Sequence, residues 1–178
     1  KNVNPPQRVN DVKFILDELE QIEAKVDGLE KGKIDRDRMA IGGHSAGALT
    51  AQLAFGMTAP SKASPLQAKN IGDARLKAAI IVSGQGVSRG WITKDAWSDI
   101  TRPMLVITGS EDVVSVSKET PETRRHPYEY APAGDKYLMF IDGATHSSYQ
   151  GKNPLALARI KDPENVRDIQ QIVSAGTT

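Results

Sequence analysis

Met39-Ala40-Ile41-Gly42-Gly43-His44-Ser45-Ala46-Gly47-Ala48 is the stretch that decides how the chain is read. Met39 to Gly43 is a short apolar run of the kind found in strands buried on both faces. Helical spacing resumes from Ser45 to Phe55, with the small residues Ala46, Gly47, Ala48 and Ala51 along it. Gly43-His44-Ser45-Ala46-Gly47 fits G-x-S-x-G at a strand-to-helix turn, the setting a nucleophile elbow requires. Such a turn forces the serine into strained backbone angles, and side chains at the two flanking glycine positions are expected to clash. The turn exposes the Ser45 hydroxyl and places the Ala46 N–H at a helix N-terminus, where it can stabilise an oxyanion.

Working outward, Asn10 to Leu29 reads as an amphipathic helix, because Val12, Ile15, Leu16, Leu19, Ile22 and Val26 recur at three- and four-residue steps. Asn10 or Asp11 is the expected cap, and Gly28 and Gly32 bracket the end. Thr58 to Ala74, rich in Pro, Ser, Lys and Asn, reads as an excursion loop. Leu76 to Ser83, Met104 to Thr108 and Lys136 to Ile141 are three further buried strands. A helix is expected around Arg124 to Tyr130, and a closing helix over Pro163 to Ser174. Strands alternating with helices predict an α/β fold with a mostly parallel sheet flanked by helices on both faces.

A serine needs a base to act as a nucleophile. Of the three histidines, His44 lies inside the elbow and reads as packing or hydrogen-bond support. His126, in Arg124-Arg125-His126-Pro127, reads as a solvated surface residue. His146 lies just past the fourth strand, at the carboxyl edge of the sheet, where ligands and catalytic groups gather in open α/β folds. It is the expected base. The supporting acid belongs between serine and histidine in chain order. Gly109-Ser110-Glu111-Asp112 follows the third strand, and either carboxylate can orient an imidazole. His44, Met57, Trp91 and Trp97 are candidates for a substrate pocket, with core packing the more common role for the last three.

The 178 residues are 39% hydrophobic and 25% charged, with a formal net charge of +1. That balance favours neither a nucleic acid nor an anionic membrane as partner. The chain contains no cysteine, which excludes disulfides, thiolate metal sites and a cysteine nucleophile. No apolar stretch approaches the ~20 residues that span a bilayer. The chemistry suggested by Ser45 and His146 requires neither a metal nor an organic cofactor. Neither cysteine usage nor the first residue, Lys1, assigns a compartment.

With these residues in place, the sequence resembles the α/β-hydrolase superfamily, and within it the serine esterases similar to dienelactone hydrolase and platelet-activating-factor acetylhydrolase. The matching stretches are RVNDVKFILDEL, IDRDRMAIGGHSAGA, RPMLVITGSEDVV and MFIDGATHSS. The resemblance implies Ser45 as nucleophile, Asp112 as the acid of the family's G-x-x-D and His146 as the base of its G-x-x-H. It implies a small-molecule ester as substrate and an acyl-enzyme intermediate. The same triad serves serine peptidases and acyltransferases, and the same fold serves non-catalytic binding proteins. Dienelactone hydrolases themselves use cysteine. The superfamily also places several strands and a second oxyanion donor ahead of the helix beginning near Asn10. Residues 1–178 are therefore expected to be the C-terminal catalytic portion of a single α/β-hydrolase domain lacking its N-terminal strands. A missing N-terminal segment or a second chain is expected along the open edge beside Met39 to Gly43.

Overall fold

A computed structural model of the chain describes residues 4–28, 30, 32–60, 68–88, 90–115, 117–151 and 163–177. Four strands make one parallel sheet: β1 (Met39–His44), β4 (Leu76–Val82), β5 (Met104–Glu111) and β6 (Lys136–Thr145), in the spatial order β1-β4-β5-β6. Every neighbouring pair is parallel. The near-continuous apolar runs of β4 and β5 follow from burial on both faces. Leu76, Ala79, Ile81, Met104 and Val106 contribute to one core cluster, while Ile80, Val82, Leu105 and Ile107 contribute to the other.

Helices cover both faces. On the first lie α1 (Pro5–Asp17), α3 (Ala46–Phe55), a 3-10 turn over Lys94–Trp97 and α5 (His126–Tyr130). Val9 of α1, most of α3 and Trp97 are buried there. On the second, α6 (Pro163–Thr177) places Ile169 and Val173 against Ile107, Met139 and Ile141. Ala40 and Gly42 of β1 remain exposed, and β1 is an edge strand of the sheet among the described residues.

Several elements differ from the expected ones. The first helix begins at Pro5 and breaks at Glu18, with α2 (Leu19–Lys25) following. Asn4, not Asn10 or Asp11, is its cap: Asn4 accepts from the Gln7 N–H, and the Gln7 side chain accepts from the Asn4 N–H. Pro5 and Pro6 suit the first helical turn, which needs no N–H. The loop expected over Thr58 to Ala74 holds a small antiparallel pair, β2 (Thr58–Pro60) with β3 (Ala68–Asn70); residues 61–67 lie outside those described. The helix expected around Arg124 to Tyr130 is two short ones, α4 (Pro121–Arg124) and α5, because Pro121 and Pro127 each open a helical turn. Leu29, the expected end of the first helix, also lies outside the described residues.

Candidate active site

Ser45 stands between β1 and α3 with φ 56 and ψ −116. A non-glycine residue held in such a region stores about 1–3 kcal/mol of strain, so its surroundings must hold it. They do: its N–H donates to the Val82 carbonyl at 3.0 Å. Its carbonyl accepts from the Leu49 N–H at 3.2 Å and from Gln85 Nε2 at 3.1 Å. Gly43 is required, since a Cβ there would lie 2.3 Å from the Gly47 carbonyl oxygen. The expected clash does not extend to Gly47, where an added Cβ meets nothing within 4 Å. The tight approach is between the Gly43 Cα and the backbone of the first helical turn, so one glycine relieves it. Ala46 opens α3 and is exposed, and N–H groups in a first turn lack intrahelical acceptors.

The three strand ends converge. The Ser45 hydroxyl donates to His146 Nε2 at 2.9 Å, and His146 Nδ1–H donates to Asp112 Oδ1 at 2.9 Å. Asp112 is fully buried, whereas Glu111 is exposed, which settles which carboxylate faces the imidazole. The other carboxylate oxygen accepts from Ser83 Oγ at 2.5 Å and Thr108 Oγ1 at 2.8 Å. Arg124, also buried, lies with Nε 2.9 Å from Asp112 Oδ1. Burial pushes the Asp112 carboxyl up, but the His146 hydrogen bond and the Arg124 charge outweigh it and hold the group below its ordinary value.

The ends of β5 and β6 are locked together beside this line of bonds. The Gly143 N–H donates to Ser110 Oγ at 2.7 Å, and Ser110 Oγ donates to Asp142 Oδ1 at 2.9 Å. The segment leading to His146 is thus pinned to the segment carrying Asp112. His44 adds a third tie: its Nε2–H donates to the His146 carbonyl at 2.9 Å, with the two rings 4.8 Å apart. Burial, then the neighbouring His146, pushes His44 down from its ordinary pKa and favours the neutral ring.

The expected pocket residues separate. Met57 and Trp97 have no exposed surface and belong to the core around α3, so neither lines a solvent-accessible pocket. Trp91 is half-buried against the same core. His126 is not the solvated residue its polar neighbours suggest. It is half-buried, accepts the Val87 N–H at 3.0 Å through Nδ1 and packs on Tyr130, and burial pushes its pKa down.

Four polar residues around the elbow escape the sequence reading. Ser83 directly follows β4 with φ 50; its place just past a strand end is the signal that would have found it. Thr108 sits fully buried within an apolar strand. Gln85 reaches the Ser45 carbonyl from the loop after β4. Arg124 lies in a charged stretch that resembles a solvated face. Among the described residues, no group of three or more His, Cys, Asp or Glu side chains forms a metal site. No described helix is long and apolar enough to cross a membrane.

The chain has the α/β-hydrolase fold. It superposes on a monoacylglycerol lipase from Paleococcus ferrophilus with a TM-score of 0.57 at 12% identity, over 96% of this chain and 74% of that one. It superposes on Thermogutta terrifontis esterase 2 phosphorylated by paraoxon with a TM-score of 0.55 at 18% identity, over 97% of this chain and 65% of that one. A truncated form of a carbohydrate esterase from gut microbiota gives 0.53 at 11% identity, over 98% of this chain and 68% of that one. No family model and no curated relative matches the sequence. At these identities the likeness is one of fold, and the chemistry is argued from the site.

Proposed function

We propose that this chain is the catalytic portion of a serine hydrolase that cleaves carboxylic esters. The observation that carries the reading is the unbroken series from Ser45 Oγ through both ring nitrogens of His146 to the buried Asp112, each step 2.9 Å. His146 takes the Ser45 proton as the hydroxyl oxygen attacks the ester carbonyl. The tetrahedral oxyanion is held by the Ala46 N–H together with a second donor from the rest of the domain. Collapse expels the alcohol, which takes its proton from His146. Water, deprotonated by His146, then frees the acid from the Ser45 acyl-enzyme. Asp112 fixes the imidazole tautomer and stabilises the imidazolium. The substrate is a small-molecule ester, and the sequence resemblance to dienelactone-hydrolase-like and platelet-activating-factor-acetylhydrolase-like esterases supports that class.

The chain is further proposed to be the C-terminal portion of one α/β-hydrolase domain. The exposed Ala40 and Gly42 and the unpaired edge of β1 among the described residues support a covering segment there. Turnover of p-nitrophenyl acetate by this chain, by a chain extended upstream and by Ser45→Ala in each tests both readings. Weak turnover by the chain alone, rising about a hundredfold or more with the extension, is expected from gaining one oxyanion donor. Full turnover by the chain alone would refute the partial-domain reading. Turnover unaffected by Ser45→Ala would refute the serine mechanism.

A further inference from the structure

We infer that Arg124 is a positioning residue for the Asp112–His146 pair, a buried cation that fixes the acid and sets the pH at which the pair takes up the proton that disables it as a base. The inference rests on the triad reading above.

The guanidinium ties three segments together. Nε donates to the Asp112 carbonyl at 2.8 Å and lies 2.9 Å from Asp112 Oδ1, while Nη1 donates to the carbonyls of Ser83 at 2.6 Å and Gly84 at 3.1 Å. Ser83 closes the ring from the other side by donating its hydroxyl to Asp112 Oδ2. Burying a full charge is costly unless its donors are met and a counter-charge adjoins. Neutral donors would satisfy the same carbonyls, so packing and hydrogen bonding do not call for arginine. What arginine adds is a positive charge on the carboxylate oxygen that also receives His146 Nδ1–H.

That charge has one sign of effect by two routes. It opposes the imidazolium at His146, and it opposes a proton on Asp112 itself. Either way the coupled pair takes its extra proton at lower pH than an uncompensated carboxylate and imidazole would. Among the described residues, the other titratable groups around the pair are His44 from β1, whose ring lies against His146, and Tyr149 from the turn after β6, which packs on His44 and feels the Asp112 charge. Burial pushes His44 down and Tyr149 up, so each stays neutral near pH 7. Arg124 is therefore the permanent cation among these contacts.

The test follows the His146 ring by NMR as pH is lowered, with its signal assigned by loss in His146→Gln. Fluorophosphonate labelling of Ser45 is measured over the same range. Arg124→Gln keeps a donor but removes the charge, and should move both midpoints up by about one to two pH units. Arg124→Lys keeps the charge and should stay within about half a unit of the unsubstituted chain. Unmoved midpoints in Arg124→Gln would overturn the proposal, as would equal shifts in both variants, which would assign the effect to geometry. Failure of both to fold by circular dichroism would reduce Arg124 to a core-stability role and also overturn it. Labelling that survives Ser45→Ala would defeat the hydrolase reading separately, while the NMR midpoints still decide the role of Arg124.

Discussion

Replacing Asp112 by asparagine separates charge from geometry at the buried end of the proposed triad. His146 Nδ1–H and Arg124 Nε–H both donate toward Oδ1, so the asparagine oxygen must occupy that place. Its NH2 then meets Ser83 Oγ and Thr108 Oγ1, which donate to Asp112 Oδ2 but turn readily to accept. The hydrogen-bond pattern and the imidazole tautomer survive, and the negative charge is lost. A carboxylate and an imidazolium about 4 Å apart at an effective dielectric of about 20 attract by about 4 kcal/mol. At about 1.4 kcal/mol per tenfold, the rate of Ser45 modification should fall by about three orders of magnitude. An amide flipped the other way would impose the wrong tautomer and lose about four. The assay is the second-order rate of fluorophosphonate labelling of Ser45, measured by intact mass beside Glu111→Gln. That exposed neighbour should change the rate by no more than about twofold, since surface substitutions rarely matter. A loss below tenfold in Asp112→Asn, or an equal loss in Glu111→Gln, would show that the Asp112 charge does not stabilise the imidazolium.

Gly43→Ala places a Cβ 2.3 Å from the Gly47 carbonyl oxygen, so the elbow backbone must shift. Labelling should fall by about a hundredfold, the scale of an ångström of misplacement, whereas Gly47→Ala, with open space around it, should leave the elbow in place. Gln52→Leu strands two buried groups, the Trp97 Nε1–H held at 2.8 Å and the Gln85 carbonyl held at 3.4 Å. At about 1–3 kcal/mol for a stranded group, the melting temperature should drop by several degrees. Asp73 is held at about 2 from an ordinary 3.8, chiefly by its side-chain hydrogen bond with Arg75. Its contribution to stability is fully present above pH 3.8 and is lost as pH falls through about 2. Asp73→Asn should therefore flatten the drop in melting temperature across that window.

The elements most legible in the sequence are those whose pattern is set locally. The apolar runs of β1, β4, β5 and β6 each mark a strand, although Ala40 and Gly42 of β1 and Tyr137 and Phe140 of β6 are exposed rather than buried as their composition suggests. The elbow announces itself because a strand turning directly into a helix needs Gly43. The strand ends were less legible: β5 runs on to Glu111 and β6 to Thr145, past the apolar cores that mark them. The hairpin of β2 and β3 carries no alternation, since each strand is three residues long. Arg124 and His126 were hidden for a physical reason. A polar residue buried by tertiary hydrogen bonds looks, in a charged stretch, like one left in water. Choosing Asp112 over Glu111 also needed more than local pattern, because adjacent carboxylates differ only in which side of the chain the fold buries.

The proposed hydrolase chemistry stands on Ser45 being a nucleophile made reactive by His146. The most direct measurement is covalent: incubate the chain with a fluorophosphonate, digest it and locate the adduct by mass spectrometry. The structure predicts one adduct on Ser45, lost in Ser45→Ala and formed at least about a thousandfold more slowly in His146→Gln, the order of loss seen when a triad base is removed. Labelling spread over other serines, or a Ser45 adduct that forms equally fast without His146, would contradict it.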